Sequence, residues 1–435
     1  MERSEFAEKV LAELRRAEPN VDFALEEDEF RIRHKRPDGT TALIMLHNHY
    51  DVHEHAAPAA RAEIFARIVT ASRAVDSQET LGEVRSLLVP RIRPRRHFEV
   101  DVKRAAASID GAAKANPFAY LPLAEHLGVA LAIDRPQQIE YVTDGVGRFG
   151  LPLEELHEIA LVNLRRMTKK GLDAAGPGVW MGMWGDDYAA ERILLPELWK
   201  ALETKGSPVV FMPGPEVIFV ADSANAKALA VVMELVEQRV TEPRAILDFA
   251  FVWKDGAWSL FEPGGEVGER LGGGLALHLA DAYAAQKAAL EENPIGEEFV
   301  ASVMGMGKDG KVSTTAATWG KDVPTLLPRV QMLAILEEMT PGSAIMASWD
   351  DVLSLAGAYL EKVPDLYPPR WRTKSFPDAA TLAKLRARPP KMPAAPGKKA
   401  PSAAAAPAPA RGGTGRLVLM IGVALVVASI LYAFR

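Results

Sequence analysis

The densest run of chemistry-bearing side chains is His47-Asn48-His49-Tyr50-Asp51-Val52-His53-Glu54-His55, directly after an apolar stretch that reads as a strand. Imidazoles and a carboxylate at close spacing can hold zinc with one position open for water, as in a metal-dependent hydrolase. The zinc-hydrolase pattern His-x-His-x-Asp-His needs its Asp and last His adjacent, and here Val52 separates Asp51 from His53. On a helix, His49 and His53 instead share a face at i, i+4 and can chelate a stray metal or sense pH. His47, His49, Asp51 and His53 are therefore the alternative metal set. A solvated helix start is the leading reading of the run.

Three further motifs invite chemistry and fall short of it. Gly145-Val146-Gly147-Arg148-Phe149-Gly150 fits Gly-x-Gly-x-x-Gly between a strand and a helix. A dinucleotide site needs its third glycine inside the first helical turn, beside the pyrophosphate. Pro152 marks that turn here and leaves all three glycines in a loop. Gly305-Met306-Gly307-Lys308-Asp309-Gly310-Lys311-Val312 approaches a phosphate loop, but Val312 stands where a hydroxyl would hold magnesium. Its strand-like flanks make Lys308-Asp309-Gly310 a hairpin turn. Asp186-Asp187 with Glu191 and Arg192 could pair carboxylates for proton transfer. A helix cap with a solvated first turn is the simpler reading. No cofactor motif is intact.

Two features read as structural. Arg91-Ile92-Arg93-Pro94-Arg95-Arg96-His97 alternates charge along an apparent strand. It reads as a charged edge that discourages aggregation, with phosphate or headgroup contact as the alternative. Asn163 falls on or beside the apolar face of a helix, where a buried amide needs partners.

Composition narrows the classes. The net charge is -6, and an acidic balance argues against a general nucleic-acid binder. There are no cysteines, which removes disulfides, thiolate nucleophiles and cysteine-held zinc. The first residues contain no apolar run, so no secretory signal is expected. Phe6, Val10, Leu11 and Leu14 share one helical face.

Residues 417–434 read LVLMIGVALVVASILYAF, 18 residues without a charge. At ~1.5 Å per residue they span ~27 Å, close to a hydrocarbon core of ~30 Å. A single transmembrane helix is expected, with Leu417, Ile421, Leu425, Ile430 and Phe434 among its lipid contacts. Arg388, Lys391, Lys398, Lys399, Arg411 and Arg416 precede the span and only Arg435 follows it. That bias puts the N-terminal bulk in the cytoplasm, under a single-pass tail anchor inserted after translation at the cell membrane. Residues 387–415 hold seven prolines, many alanines and no acid, a composition that cannot bury enough surface to order itself. They read as a disordered linker whose bases approach anionic headgroups.

The elements between are mixed. Strands at 23–25, 30–32 and 41–46 precede a helix near 59–72. Strands recur at 128–133 and 138–142, and Pro152 opens a helix through Leu164. A strand at 179–184, a helix through 195–202 and a hairpin over 209–220 follow. Asp222-Ser223 offers cap chemistry for a helix over 224–238. A last hairpin, 246–253 with 258–261, turns at Lys254-Asp255-Gly256. Abundant hairpins favour an α+β fold with mainly antiparallel sheets and packed helices. The glycine-rich stretch 264–274 then separates a second, smaller α+β unit. Trp184-Gly185, Asp187, Leu194-Leu195-Pro196, Gly206-Ser207 and Val217 recur in order as Trp319-Gly320, Asp322, Leu326-Leu327-Pro328, Gly342-Ser343 and Val352. The second unit thus reads as a candidate degenerate repeat of the first.

Several stretches carry a family resemblance. Pro122-Leu123-Ala124-Glu125-His126-Leu127-Gly128-Val129, Ile133-Asp134-Arg135-Pro136, Tyr141-Val142-Thr143 and Leu161-Val162-Asn163-Leu164-Arg165 resemble the YtpQ-like family of bacterial proteins. So does Trp184-Gly185-Asp186-Asp187-Tyr188-Ala189-Ala190-Glu191-Arg192-Ile193-Leu194 with the hairpin after it. The likeness covers roughly residues 1–262. The family is one of unknown function, so it implies a bacterial cytosolic α+β domain and supplies no catalytic residues.

The expected organisation is a YtpQ-like domain at 1–262, a second unit at 263–386, the linker at 387–415 and the anchor at 416–435. The expected function is a membrane-tethered binding or adaptor module without catalysis and without a cofactor. Its expected partners are membrane lipid and a protein at the membrane, and not nucleic acid. The alternative is the metal-dependent hydrolase built on His47, His49, Asp51 and His53.

Overall fold

In the computed structural model, the residues described are 1–27, 30–35, 41–72, 79–101, 119–135, 138–142, 145–239, 246–247, 249–308, 311–338 and 343–390. The linker beyond residue 390 and the expected anchor, with Leu417, Ile421, Leu425, Ile430 and Phe434, lie outside them. Among the described residues, no helix is long and apolar enough to cross a membrane. The chain divides into two compact units, Met1–Phe98 with Val102–Phe261, and Glu262–Arg435 with Glu99–Asp101. Both are α+β, with mostly antiparallel sheets.

The first unit opens with helix α1 (Arg3–Ala17), whose i, i+4, i+8 face buries Phe6, Val10 and Leu14. Strands β1 (Phe23–Glu26), β2 (Arg31–Lys35) and β3 (Thr41–Met45) form an antiparallel sheet, with Phe23 opposite His34 and Arg31 opposite Met45. Helices α2 (His47–His55) and α3 (Pro58–Ser72) follow. One core joins Phe6, Phe23, Phe30, Ile32, Phe65 and Ile68.

A second sheet contains β4 (Leu88–Pro94), β5 (Tyr120–Ala124), β6 (Leu127–Arg135) and β7 (Gln138–Tyr141), with β6 central and β4 at an edge. The short helices α4 (Leu81–Val84) and α5 (Gly145–Phe149) flank it in sequence. Helix α6 (Leu153–Met167) has Pro152 at its N-cap and buries Leu156 and Ala160 among Leu88, Leu131 and Ile133. Asn163 is the polar clamp of that layer. Its Nδ2 donates to the carbonyls of Arg85 and Leu88, both at 2.8 Å.

A six-stranded antiparallel sheet completes the unit: β8 (Asp173–Gly176), β9 (Val179–Gly182), β10 (Pro208–Gly214), β11 (Val217–Asp222), β12 (Ala250–Lys254) and β13 (Ala257–Leu260), in the order β13-β12-β10-β11-β9-β8. The β12–β13 turn places Asp255 and Gly256 at positive φ (53° and 83°), the two-residue hairpin geometry that Asp-Gly favours. Helix α7 (Pro196–Lys200) precedes β10 and α8 (Ala226–Arg239) follows β11. The cap of α8 differs from the sequence reading. Asn225 Oδ1 accepts from Ala228 N at 3.1 Å, while the Asp222 carboxylate accepts from Lys205, Gly206 and Ala224 N–H groups. Asp222 is drawn off because three unpaired backbone donors outcompete a single cap bond.

The second unit begins with the 28-residue helix α9 (Gly265–Glu292). The glycine-rich stretch expected to separate the units therefore lies mostly inside a helix. A Cβ at Gly273 would sit 2.8 Å from the Val312 carbonyl, so at that position glycine permits close helix-to-sheet approach. Strands β14 (Phe299–Val300), β15 (Met304–Lys308), β16 (Lys311–Gly320), β17 (Thr325–Pro328), β18 (Met332–Leu336), β19 (Ile345–Ser348), β20 (Leu360–Lys362) and β21 (Arg370–Thr373) form two sheets, ordered β14-β17-β21-β20 and β15-β16-β18-β19. The pairs β14–β17 and β16–β18 are parallel. Helices α10 (Trp349–Ala356) and α11 (Ala379–Arg386) add Val352, Leu382 and Leu385 to a core with Trp319 and Leu333.

The candidate repeat does not carry into structure. Leu194-Leu195-Pro196 leads from a 3-10 turn into α7, whereas Leu326-Leu327-Pro328 is strand β17. Val217 begins a strand, and Val352 lies in helix α10. Short shared strings fix neither the period nor the pairing of strands, and the long-range partners decided both.

Candidate functional site

The 184–195 segment and strand β4 build a buried ionic centre in the first unit. Glu191 and Arg192 are 0% exposed and Arg91 1%. Glu191 Oε1 accepts from Ile92 N at 3.2 Å and lies 3.4 Å from Arg91 Nη1 and 3.9 Å from Arg93 Nη1. Arg91 Nη1 also donates to the Asp187 carbonyl at 3.0 Å, and its guanidinium lies 4.8 Å from the Tyr188 ring centre. Burial pushes the Glu191 carboxyl up, against the pull of Arg91 and Arg93. Burial opposes the Arg91 charge as well, and Glu191 with Tyr141 and Tyr188 outweighs it. Burial and the Asp134 carboxylate also push the Tyr188 hydroxyl far above its ordinary value, against Arg91.

Arg192 grips Asp186 through two bonds of 2.8 Å, a charge-assisted fork. Its Nε donates to Thr168 Oγ1 at 2.9 Å, and its guanidinium lies 4.2 Å from the Trp184 ring centre. Burial would raise the Asp186 carboxyl, but Arg192 outweighs it and holds it below the usual range. Asp186 also accepts from Tyr188 N, tying a turn. The expected helix cap with a solvated first turn is thus a set of ion pairs around a 3-10 turn, with Glu191 and Arg192 buried. The edge position of β4 was legible. The burial of Arg91 was not, because its acid lies a hundred residues downstream. Both oxygens of Asp186 are taken by Arg192, whereas Glu191 Oε2 and Arg91 Nε are buried without a hydrogen-bond partner.

The imidazole run forms helix α2 as expected, but its members part ways. His47 Nε2 meets Arg3 Nη2 at 2.7 Å. His53 is buried between Phe6 and Phe65. His55 Nδ1 meets the Asp51 carbonyl at 2.7 Å. His49 is half-buried, and burial, then Arg67, lowers its pKa. Among the described residues, no three His, Asp or Glu side chains converge where a metal ion could be held. His47, His49, Asp51 and His53 are not brought together as a ligand set.

The glycine motif at 145–150 forms α5, and its Arg148 joins a quartet with Glu79, Arg135 and Glu140. That arginine thereby serves the fold. The phosphate-loop-like run is the β15–β16 hairpin, with Lys308 opposite Lys311. In the second unit, Arg370 is fully buried and donates to Gln286 Oε1 and to the carbonyls of Ala301 and Leu326. Burial lowers it to about 10. Nothing in the sequence flagged it.

A groove of about 560 Å³ in the second unit is lined by Glu337, Glu338, Ser343, Ile345, Met346 and Arg386, and ends at Pro389. Arg386 and Glu337, both in its lining, form an ion pair. Strand β19 contributes Ile345 and Met346 to its lining, and Glu337, Glu338 and Arg386 contribute charge of both signs. Its lining was not legible in the sequence, since it comes from segments that no motif links.

Comparison with protein-family models, with curated proteins and with solved structures finds no match for this chain.

Proposed function

We propose that the chain is a membrane-tethered binding module that works without catalysis. The observation that carries this reading is the uncharged 18-residue run at 417–434, preceded by a basic, proline-rich spacer. Insertion of its Leu, Ile, Val and Phe residues is favourable by roughly 3–7 kcal/mol. The pairing of Asp186 with Arg192, the burial of Glu191 and His53, and the contact of His47 with Arg3 support a role in binding rather than turnover. The groove beside Ile345 and Met346 borders the start of the spacer and is the surface we assign to a protein partner. The resemblance to the YtpQ-like family agrees with an α+β module on the cytoplasmic side.

The test is turnover by the full chain in detergent, against esters, phosphates and nucleotides. The reading expects none above buffer, and proximity labelling from the anchored chain that drops in Met346→Lys. Turnover that disappears on replacing one acid or histidine would refute it.

A further inference from the structure

Four of the nine histidines lie on the single helix α2. His53 holds that helix to its neighbours. Its ring packs on Phe6 of α1 (centroids 5.2 Å apart) and on Phe65 of α3 (5.6 Å). Its Nδ1 is buried without a hydrogen-bond partner.

The charged groups around it oppose one another. On its own helix, Glu54 Oε1 lies 3.7 Å from Nδ1, but Glu54 is part-exposed and also pairs with the Met1 ammonium at 3.5 Å. From α3 comes Arg61, and from α1 comes Lys9, whose Nζ lies 4.6 Å from the Phe65 ring centre. His49 shares the face of α2 with His53. A proton on His53 would place a cation between two phenyl rings, with one half-solvated carboxylate to meet it. Buried charge without a close partner is costly.

We propose that α2 is an acid-released helix: protonation of His53 frees it from α1 and α3 and uncovers the apolar surface of Phe6 and Phe65. Burial, then Arg61, pulls the imidazole below its ordinary value, against Glu54. A folded pKa below the unfolded one means that the packing is complete above about pH 6.5 and weakens as pH falls. His49 acts in the same direction, lowered by burial and Arg67.

Hydrogen exchange of residues 47–55 in the full chain, corrected for intrinsic rates, tests this at about pH 7.5 and 5.5. One histidine that stays neutral when folded raises the opening constant ~10-fold over that interval. The wild type should open more at about pH 5.5 than at about 7.5, by up to that factor from His53. His53→Phe should lose the share of it that His53 contributes, and His55→Gln should keep it all. Because a phenyl ring can overfill the site, the His53 ring is also titrated by NMR in the unaltered chain, where its midpoint should fall clearly below 6.5. The proposal is overturned by equal opening at both pH values, by a full acid response in His53→Phe, by its loss in His55→Gln, or by a ring midpoint at or above 6.5.

Discussion

Arg91→Met removes the guanidinium beside Glu191 while keeping most of the side chain's volume. The Glu191 carboxylate then stays wholly buried, with Ile92 N–H at 3.2 Å and Arg93 at 3.9 Å as its remaining partners. Breaking one side of a buried pair costs about 3–5 kcal/mol. The acid has an escape, because it can take a proton. Because burial holds the carboxyl above its ordinary 4.5, protonation at about pH 7 costs at most ~3.4 kcal/mol, which caps the loss. Residual attraction from Arg93 trims it, so the expected defect is about 2–3 kcal/mol at neutral pH. The escape becomes cheaper by ~1.4 kcal/mol per pH unit, so the defect should shrink to below about 1 kcal/mol near pH 5. Urea melts read by exchange of the β4 amides measure both values. Replacing both partners, Arg91→Met with Glu191→Leu, should restore most of the loss. A single-variant defect under about 1 kcal/mol at neutral pH, or one that does not change with pH, would refute the reasoning.

Other outcomes follow from the same geometry. Gly206→Ala places a Cβ 2.4 Å from Ser223 Oγ and 2.8 Å from Ala224 N, and should cost about 1–3 kcal/mol in the same melts. Asn163→Ala strips the donor from the Arg85 and Leu88 carbonyls and should cost about 1–3 kcal/mol, with faster exchange near Leu88. His49, His53 and His157 are all lowered by burial, so the folded chain binds fewer protons than the unfolded one below about pH 6.5. Stability should therefore fall with acidification, by at most ~1.4 kcal/mol per pH unit for each, and a flat profile between about pH 7.5 and 5.5 would contradict this.

Much of the fold was readable from local chemistry. Apolar periodicity placed α1 and α6, and Asp255-Gly256 placed the last hairpin of the first unit. Asn163 was recognisable as structural because an amide on an apolar face must find partners. What failed to show was set by distant chain. The charge alternation of β4 gave no sign that Arg91 turns inward, because Glu191 reaches it only in the folded state. The cap of α8 moved to Asn225 because Asp222 was taken by Lys205 and Gly206 N–H groups across a turn. Glycines between 264 and 274 looked like a break, yet α9 runs through them against a sheet. Imidazole spacing suggested ligands, but the helical turn sends His47 and His53 to different neighbours.

The central claim is that residues 417–434 lodge in lipid with the bulk of the chain on the cytoplasmic face. Alkaline carbonate washing of membranes from cells expressing the full chain, with protease added to the outside of intact cells, tests it directly. The chain should stay in the washed pellet, and residues 1–390 should resist the protease. Release into the wash, or cleavage of that portion from outside, would contradict it.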